Sequence, residues 1–196
     1  MNGRPDYAPG TYLGADDLLA EQRYRWQRLR RHNRYLHGWG VVCGLWVVPA
    51  NDPTRPWTVR VCPGYAIGPY GDEITVPESV MLDVRDYLWA RPVTSTGPAR
   101  VAHVGVRYAE EPRRLIAVGS ARCGCRDPDY RPSRVRDGFQ VDVLWELPAD
   151  SGANDFDLCA DGPVPCPPCP DSPYVILARL TLPASEGDSL TALETD

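Results

Sequence analysis

The segment LHGWGVVCGLWVVP, residues Leu36–Pro49, joins a long helical pattern to the first strand pattern of the chain. Two glycines bracket Trp39, and a continuous apolar run follows them. Gly38 fits the left-handed position just past the end of a helix. We expect Gly40 to let the backbone turn close beside the helix, and Trp39 to wedge between helix and sheet. We therefore interpret the segment as a structural junction rather than a catalytic turn. The predicted junction residues are Asn33, His37, Gly38, Trp39 and Gly40.

An amphipathic α-helix is predicted before this junction, from Leu18 to about Leu36. Asp16 or Asp17 offers an N-cap, and the arginines near the helix end complement the helix dipole. An apolar stripe recurs at three- and four-residue spacing, with Leu19 beside it. The stripe comprises Leu18, Gln22, Trp26, Leu29, Asn33 and Leu36. We expect this face to pack on the strands that follow and the arginines to be solvated.

Short strand patterns fill most of the remaining chain. The run Val41–Val48 predicts a buried strand, and Trp57–Ile67 predicts a second strand that returns beside it. Gly68–Gly71 has proline at its second position and glycine at its fourth, which is typical of a type I turn. Further predicted strands are DEITVP (72–77), ARVAHVGVRYAEE (99–111), RLIAVGS (114–120), DGFQVDVLWEL (137–147) and YVILARLTL (174–182).

Together these patterns predict a mainly β fold, a β-sandwich of short antiparallel strands preceded by one amphipathic N-terminal α-helix. We expect an irregular arm over residues 1–12, a single domain over 13–182 and a mobile tail over 183–196. Cys43 and Cys62 lie in strand patterns and are expected in the core. The tryptophans expected there are Trp39, Trp46, Trp57 and Trp145.

The composition narrows the class of function. The net charge of −5 argues weakly against nucleic-acid binding, and all 21 basic residues are arginine, as a GC-rich genome would produce. No run of about 18 apolar residues is present to span a membrane. The N-terminal sequence MNGRPDYAPG lacks the apolar core of a signal peptide. We therefore expect a cytoplasmic protein.

Two cysteine pairs, Cys123-Gly-Cys125 and Cys166-Pro-Pro-Cys169, lie in a cysteine-rich loop region over residues 123–169. Two close pairs commonly assemble four thiolates around one Zn²⁺ ion. Cys159 could replace one member of the set. The sequence thus predicts one structural Zn²⁺, and the alternatives are unpaired loop cysteines or a disulfide.

His32, Asn33 and His37 at the end of the helix invite a catalytic interpretation. No nucleophile or paired acid stands in a recognisable arrangement with these residues. We therefore favour a structural role, in which His32 is exposed while Asn33 and His37 bond to backbone at the junction.

Several segments together resemble an uncharacterised family of proteins encoded with phage-like contractile injection systems. The pattern His-Asn-Arg-x-Leu-His-Gly-x-Gly-Val-Val-x-Gly-Leu runs from His32 to Leu45. The pattern Pro-Gly-x-Ala-Ile-x-x-x-Gly-x-Glu-Ile runs from Pro63 to Ile74. Tyr108–Pro112 and the cysteine pairs also fit this family, so the resemblance covers most of the chain.

More loosely, Tyr12–Pro77 is similar to the start of the type VI secretion baseplate adaptor subunit. The N-terminal part of that subunit resembles the shoulder domain of phage receptor-binding proteins, a β-sandwich that plugs into a baseplate. The present chain departs in lacking the long helical and C-terminal receptor-binding parts and in having the cysteine pairs.

These resemblances imply a non-enzymatic structural component of a contractile phage-tail-like particle, in the baseplate or attached to it as an adaptor. They imply other subunits of the particle as partners and a multimeric arrangement. The alternatives are a free zinc-stabilised module that binds a protein or glycan through its aromatic surface, and a histidine-dependent hydrolase.

Overall fold

The computed structural model describes residues 4–50, 52–90, 100–118, 129–149, 169–182 and 190–194. Within these ranges the chain is mostly β with one N-terminal α-helix, which confirms the predicted fold class. Helix α1 (Ala15–His32) continues as a π-helical turn, Asn33–His37, and a 3₁₀ helix, Val84–Ala90, lies mid-chain. The strands are β1 (Gly40–Gly44), β2 (Val47–Pro49), β3 (Thr58–Val61), β4 (Gly64–Ile67), β5 (Glu73–Val76), β6 (Val80–Asp83), β7 (Arg100–Val118), β8 (Asp129–Leu144), β9 (Val175–Leu182) and β10 (Thr191–Glu194).

The described strands form three antiparallel sheets with the orders β1-β4-β5, β2-β3-β6 and β10-β9-β7-β8. Their inward side chains meet in one apolar core, in which Val59, Ile74 and Val104, one from each sheet, are fully buried. The alternation predicted for β7 is confirmed, because Ala102 and Val106 are fully buried on the same face as Val104.

Helix α1 begins three residues earlier than the sequence predicts. Gly14 is the N-cap, and its N–H donates to the Asp17 carboxylate over 3.0 Å. Asp17 therefore caps the helix from within its first turn, where a carboxylate also complements the helix dipole. Helical backbone extends to His37, close to the predicted end.

The prediction of one buried strand over Val41–Val48 is wrong, because the chain turns a corner inside it. Gly44 and Leu45 both have positive φ, 66° and 58°, so the backbone leaves the extended conformation between β1 and β2. A Cβ on Gly44 would lie 2.2 Å from the Pro63 carbonyl oxygen, and a Cβ on Gly64 would lie 2.4 Å from the Cys43 oxygen. The chain segments β1–β2 and β3–β4 form one antiparallel hairpin, and each of them passes from one sheet to another at this point. The two glycines let the two backbones cross closely there.

This corner also explains which apolar residues stay outside the core. β1 is a sheet edge, and its side chains Val41, Val42 and Cys43 are exposed. The chain enters the core only at Leu45, which is 2% exposed, and Trp46 then points outward at 60% exposure. The predicted core positions of Cys43 and Trp46 are therefore wrong.

The other predicted core residues divide between full and partial burial. Trp57 is 1% exposed, and Trp145 packs against the core while partly buried. Trp39 and Cys62 are half-buried. Only Trp57 among these four is therefore a fully enclosed core side chain.

Strands β7 and β8 are longer than the sequence predicts and form one continuous hairpin. They pair from His103–Leu144 to Val118–Asp129, across Pro112 and the positive-φ residue Arg114. Only the inner part of β7, up to Val106, also pairs with β9 among the described strands. The outer half of the hairpin is consequently a two-stranded ribbon, which we call the arm (residues 107–118 and 129–140).

Part of the predicted mobile tail belongs to the folded domain. β10 pairs with β9, with Thr191 opposite Thr181. Leu190 is 4% exposed, and its N–H donates to the Pro56 carbonyl over 3.2 Å. These contacts connect the chain end to the loop between β2 and β3.

Candidate assembly surface

The helical segment is attached to the β4–β5 turn through Asn33. The Asn33 side-chain amide donates to the Gly71 carbonyl over 3.0 Å, and Asn33 is 7% exposed. Asn33 thus bonds to backbone as predicted, but its partner is a turn distant in sequence. Gly71 has a φ of 84°, and a Cβ there would lie 2.0 Å from the Arg30 carbonyl oxygen. Only glycine permits this contact between helix and turn.

The turn predicted at Gly68–Gly71 is present and carries the hydrogen bond of a β-turn. Gly71 N–H donates to the Gly68 carbonyl over 2.8 Å, and Gly68 N–H donates to the Asp72 carbonyl over 2.8 Å. The loop is therefore a β-turn followed by a positive-φ glycine, a common three-residue hairpin connection.

An ion pair beside this contact joins the helix to the same turn. The Arg30 guanidinium lies 2.5 Å from the Asp72 carboxylate, whose side chain is 9% exposed. Burial raises the pKa of the Asp72 carboxyl, and the Arg30 charge opposes that rise. Arg30 also lies over the rings of Trp26 and Tyr108, 5.0 and 5.8 Å from their centroids. Asp72 is thus occupied by Arg30 rather than available as a cation ligand.

Tyr108 extends this cluster to the arm. Its hydroxyl donates to the Asp137 carboxylate over 2.6 Å. Burial and then this hydrogen bond raise the pKa of the Tyr108 hydroxyl well above its ordinary value. The helix, the β4–β5 turn and the base of the arm are therefore held together by polar and cation–π contacts rather than by apolar packing.

The apolar stripe of α1 remains largely uncovered, contrary to the expectation that it packs on the strands. No residue of α1 is buried, and Leu18, Leu19, Trp26 and Leu29 are 41–51% exposed. Leu36, in the π-helical turn, is 70% exposed. The helix contacts the sheets mainly near its C-terminal end, at Arg30 and Asn33, so most of the stripe faces outward.

A groove separates this helix from the arm. It has a volume of about 680 Å³ and is lined on the helix side by Leu19, Gln22, Arg25 and Trp26. On the β8 side it is lined by Pro132, Ser133, Arg134, Val135 and Asp137. Exposed apolar residues also occur further along the arm, at Leu115, Ile116 and Tyr130. Exposed apolar area of this extent, bordered by charge, is typical of protein interaction sites.

The predicted junction residues have separate roles. Gly38 ends the helical segment with a φ of 74°, and Gly40 has a φ of 139°. No atom lies within 4 Å of a Cβ built on either glycine, so Gly40 is not a close approach of the backbone. The close approaches occur instead at Gly44, Gly64 and Gly71. An isolated glycine inside the apolar run Val41–Val48 is the sequence pattern that points to the first of these.

The two histidines contact each other and show no catalytic arrangement within the described residues. The rings of His32 and His37 meet edge to face, with centroids 5.2 Å apart, and both residues are exposed. Neither has a hydrogen-bonded carboxylate or nucleophile in the described part of the chain. The expected bond from His37 to backbone is not found there either.

The predicted zinc ligands are not brought together in the described residues. Cys123, Cys125 and Cys166 lie outside them, and Cys169 is exposed at the start of a described range. No cluster of three or more histidine, cysteine or acidic side chains occurs in the ranges that are described. The zinc site therefore stays a prediction.

The fold and this surface define a mostly β protein with an exposed helix and arm. No family model and no curated protein matches the sequence. The structure matches a chain of the type VI secretion TssK-TssF-TssG baseplate subcomplex, with a TM-score of 0.51 and 10% identity. The match covers 98% of this chain and 60% of that chain. A chain of another type VI secretion baseplate complex matches with a TM-score of 0.44 and 9% identity, covering 98% and 58%.

The first of these likenesses shows a shared fold. The present chain spans less than two thirds of the length of either neighbour. None of the helices in the described ranges is both long and apolar enough to cross a membrane.

Proposed function

We propose that the protein is a non-enzymatic structural subunit of a contractile phage-tail-like injection particle, located in its baseplate or attached to it as an adaptor. The observation that carries this proposal is the uncovered apolar surface of α1 and the arm. A helical segment that exposes Leu18, Leu29 and Leu36 leaves apolar area in water that a neighbouring subunit would bury. The likeness in fold to a chain of a type VI secretion baseplate subcomplex supports the same class of role.

In this role, the polar cluster around Arg30 fixes the helix on the β4–β5 turn and presents its stripe outward. The sheets act as a rigid base, since their core is fully buried at Val59, Ile74 and Val104. Binding energy then comes from burial of the stripe in the assembly, at about 25 cal/mol per Å² of apolar surface.

The proposal is tested by measuring the protein in purified particles by quantitative mass spectrometry. We expect a fixed copy number relative to the sheath and tube subunits. The double variant Leu29→Glu/Leu36→Glu should fold but be lost from particles, because charges would be buried at the interface. Met81→Glu is the matched control, since Met81 is 57% exposed on β6, in a different sheet. Particles that contain none of the wild-type protein would refute the proposal.

A further inference from the structure

Helix α1 is anchored to the sheets near its C-terminal end. The anchor consists of the hydrogen bond from Asn33 to Gly71 and, beside it, the ion pair of Arg30 with Asp72. No residue of α1 is buried, so little apolar packing adds to this anchor. Between Ala15 and Arg30 the helix extends for about 20 Å, at about 1.5 Å per residue. The helix is thus a rod that is held near one end.

The arm projects from the same anchor and faces the helix. The Arg30 guanidinium lies over Tyr108 at the base of the arm, and Tyr108 donates to Asp137. Val135 is two residues from Asp137 on β8, so the two side chains share one face of the arm. Both residues line the groove across from Leu19. Helix and arm are therefore joined at their base and separated beyond it by the groove of about 680 Å³.

Both walls of this groove carry exposed apolar side chains. Leu19 and Trp26 are two turns apart on the helix and are 45% and 41% exposed. Val135, across the groove, is 56% exposed. Arg25 also lines the groove, but its charge is paired with Glu21 over 2.6 Å. Movement of the helix toward β8 would remove apolar surface of both walls from water, which is favourable.

A pivot for this movement lies directly after the anchor. The α-helix gives way to a π-helical turn at Asn33–His37, and helices bend at such turns. Gly38 and Gly40 follow, with φ of 74° and 139°, and no atom lies within 4 Å of a Cβ built on either glycine. The backbone there combines the conformational freedom of glycine with space in which to change. The helix therefore has room to change its angle to the sheets.

The ion pair of Arg30 with Asp72 opposes this movement. The two charged groups are 2.5 Å apart, and the Asp72 side chain is 9% exposed, so a swing of the helix would separate them. Burial raises the pKa of the Asp72 carboxyl despite the Arg30 charge beside it. Burial of the carboxylate is thus not fully offset by the pairing, which makes the ion pair a weak restraint.

We propose that α1 swings about the segment Asn33–Gly40 and closes onto the arm when Arg30 separates from Asp72. In the closed form, Leu19 and Trp26 lie against Val135. The consequence for assembly rests on the proposed role as a particle subunit: closure covers part of the apolar stripe in the free protein. A neighbouring subunit that binds the stripe then shifts the equilibrium to the open form.

The distance between helix and arm tests closure in the purified full-length protein. Spin labels on unnatural amino acids replace Asp16 and Leu115, which are exposed and do not line the groove. A swing of about 15° about Asn33 moves residue 16, about 25 Å away along the helix, by about 6 Å. Asp72→Asn removes the buried charge and keeps the side-chain shape. We expect this variant to shorten the main distance, measured by double electron–electron resonance, by at least about 5 Å.

A matched substitution controls for the loss of an ion pair as such. Asp83 also pairs with an arginine, Arg85, but lies on β6. Asp83→Asn should therefore leave the distance between the two labels unchanged. Circular dichroism verifies that each variant is folded. An unchanged or longer distance in folded Asp72→Asn protein would overturn the proposal.

A second substitution tests the apolar contact of the closed form. Val135→Asp, added to Asp72→Asn, should restore the longer distance, because closure would bury the new charge. Val42→Asp is its matched control, since Val42 is 59% exposed on β1 and outside the groove. Persistence of the shorter distance with Val135→Asp would overturn the proposed closed form. These measurements use no particles, so absence of the protein from particles would refute the proposed function alone.

Discussion

Asn33 is the buried polar side chain through which the helical segment is fixed to the sheets. Its amide donates to the Gly71 carbonyl, while no residue of α1 itself is buried. A buried hydrogen bond of this kind contributes more through the cost of leaving its partner unsatisfied than through its own net strength. The position of the helix therefore depends on one amide and on the Arg30–Asp72 pair beside it.

Asn33→Ala should lower the free energy of unfolding by about 1–3 kcal/mol, because the Gly71 carbonyl loses its buried donor. Urea denaturation followed by circular dichroism measures the change. Arg31→Ala, at an exposed position of the same helix, is the control and should change stability by less than about 0.5 kcal/mol. Equal stability of the two variants would show that the Asn33 bond does not hold the helix.

At the scale of elements, the corner at Gly44 and Leu45 decides how one hairpin contributes strands to two of the three sheets. β1 pairs with β4, and β2 pairs with β3. The segments β1–β2 and β3–β4 therefore pass from one sheet to the other opposite each other. The Leu45 N–H donates to the Pro63 carbonyl, and the Cys62 N–H donates to the Trp46 carbonyl. These two hydrogen bonds keep the segments β1–β2 and β3–β4 paired through the corner.

Gly44→Ala should destabilise the protein more than Gly38→Ala does. Both glycines have positive φ, so an alanine would be strained at either position. Only at Gly44 would the new Cβ also meet backbone, 2.2 Å from the Pro63 oxygen. The difference between the two urea midpoints therefore measures the close crossing, and equal midpoints would contradict it.

The sequence predicts the buried face of a strand correctly where apolar residues alternate. It does not predict burial where burial depends on which other parts of a protein cover the element. Ala102, Val104 and Val106 repeat every second residue, so their common face on β7 follows from the strand period. The apolar stripe of α1 has an equally clear period, but the period does not say whether the covering surface belongs to the same chain. The run Val41–Val48 misleads because Gly44, a single residue, interrupts it.

At the scale of the whole molecule, the helix, the β4–β5 turn and the arm form one surface, whose geometry no local pattern predicts. Asn33 contacts Gly71, and Arg30 lies over Tyr108, a residue far along the chain. The separate residues were visible in the sequence. Their proximity arises only from the way the three sheets stack.

The zinc prediction also concerns the whole molecule, because its two cysteine pairs are separated in the sequence by about 40 residues that include β8. We expect about one zinc per chain in protein purified without chelators, measured by elemental analysis. Cys123→Ser/Cys166→Ser should abolish this zinc, because two of four thiolates are lost. Cys43→Ser is the matched control, since Cys43 is exposed on β1 and outside the predicted set. Absence of metal in the wild-type protein, with four reactive thiols, would refute the zinc prediction.

The arm extends beyond the part of β7 that pairs with β9, so its tip lies far from the sheets. From Arg107 to Val118, β7 pairs only with β8 among the described strands, a length of about 40 Å at about 3.3 Å per residue. Rotation of the sheets by about 10° would therefore move the arm tip by about 7 Å, more than the spacing between two strands. A small rotation of the sheets would therefore displace the arm tip far enough to break or make a contact.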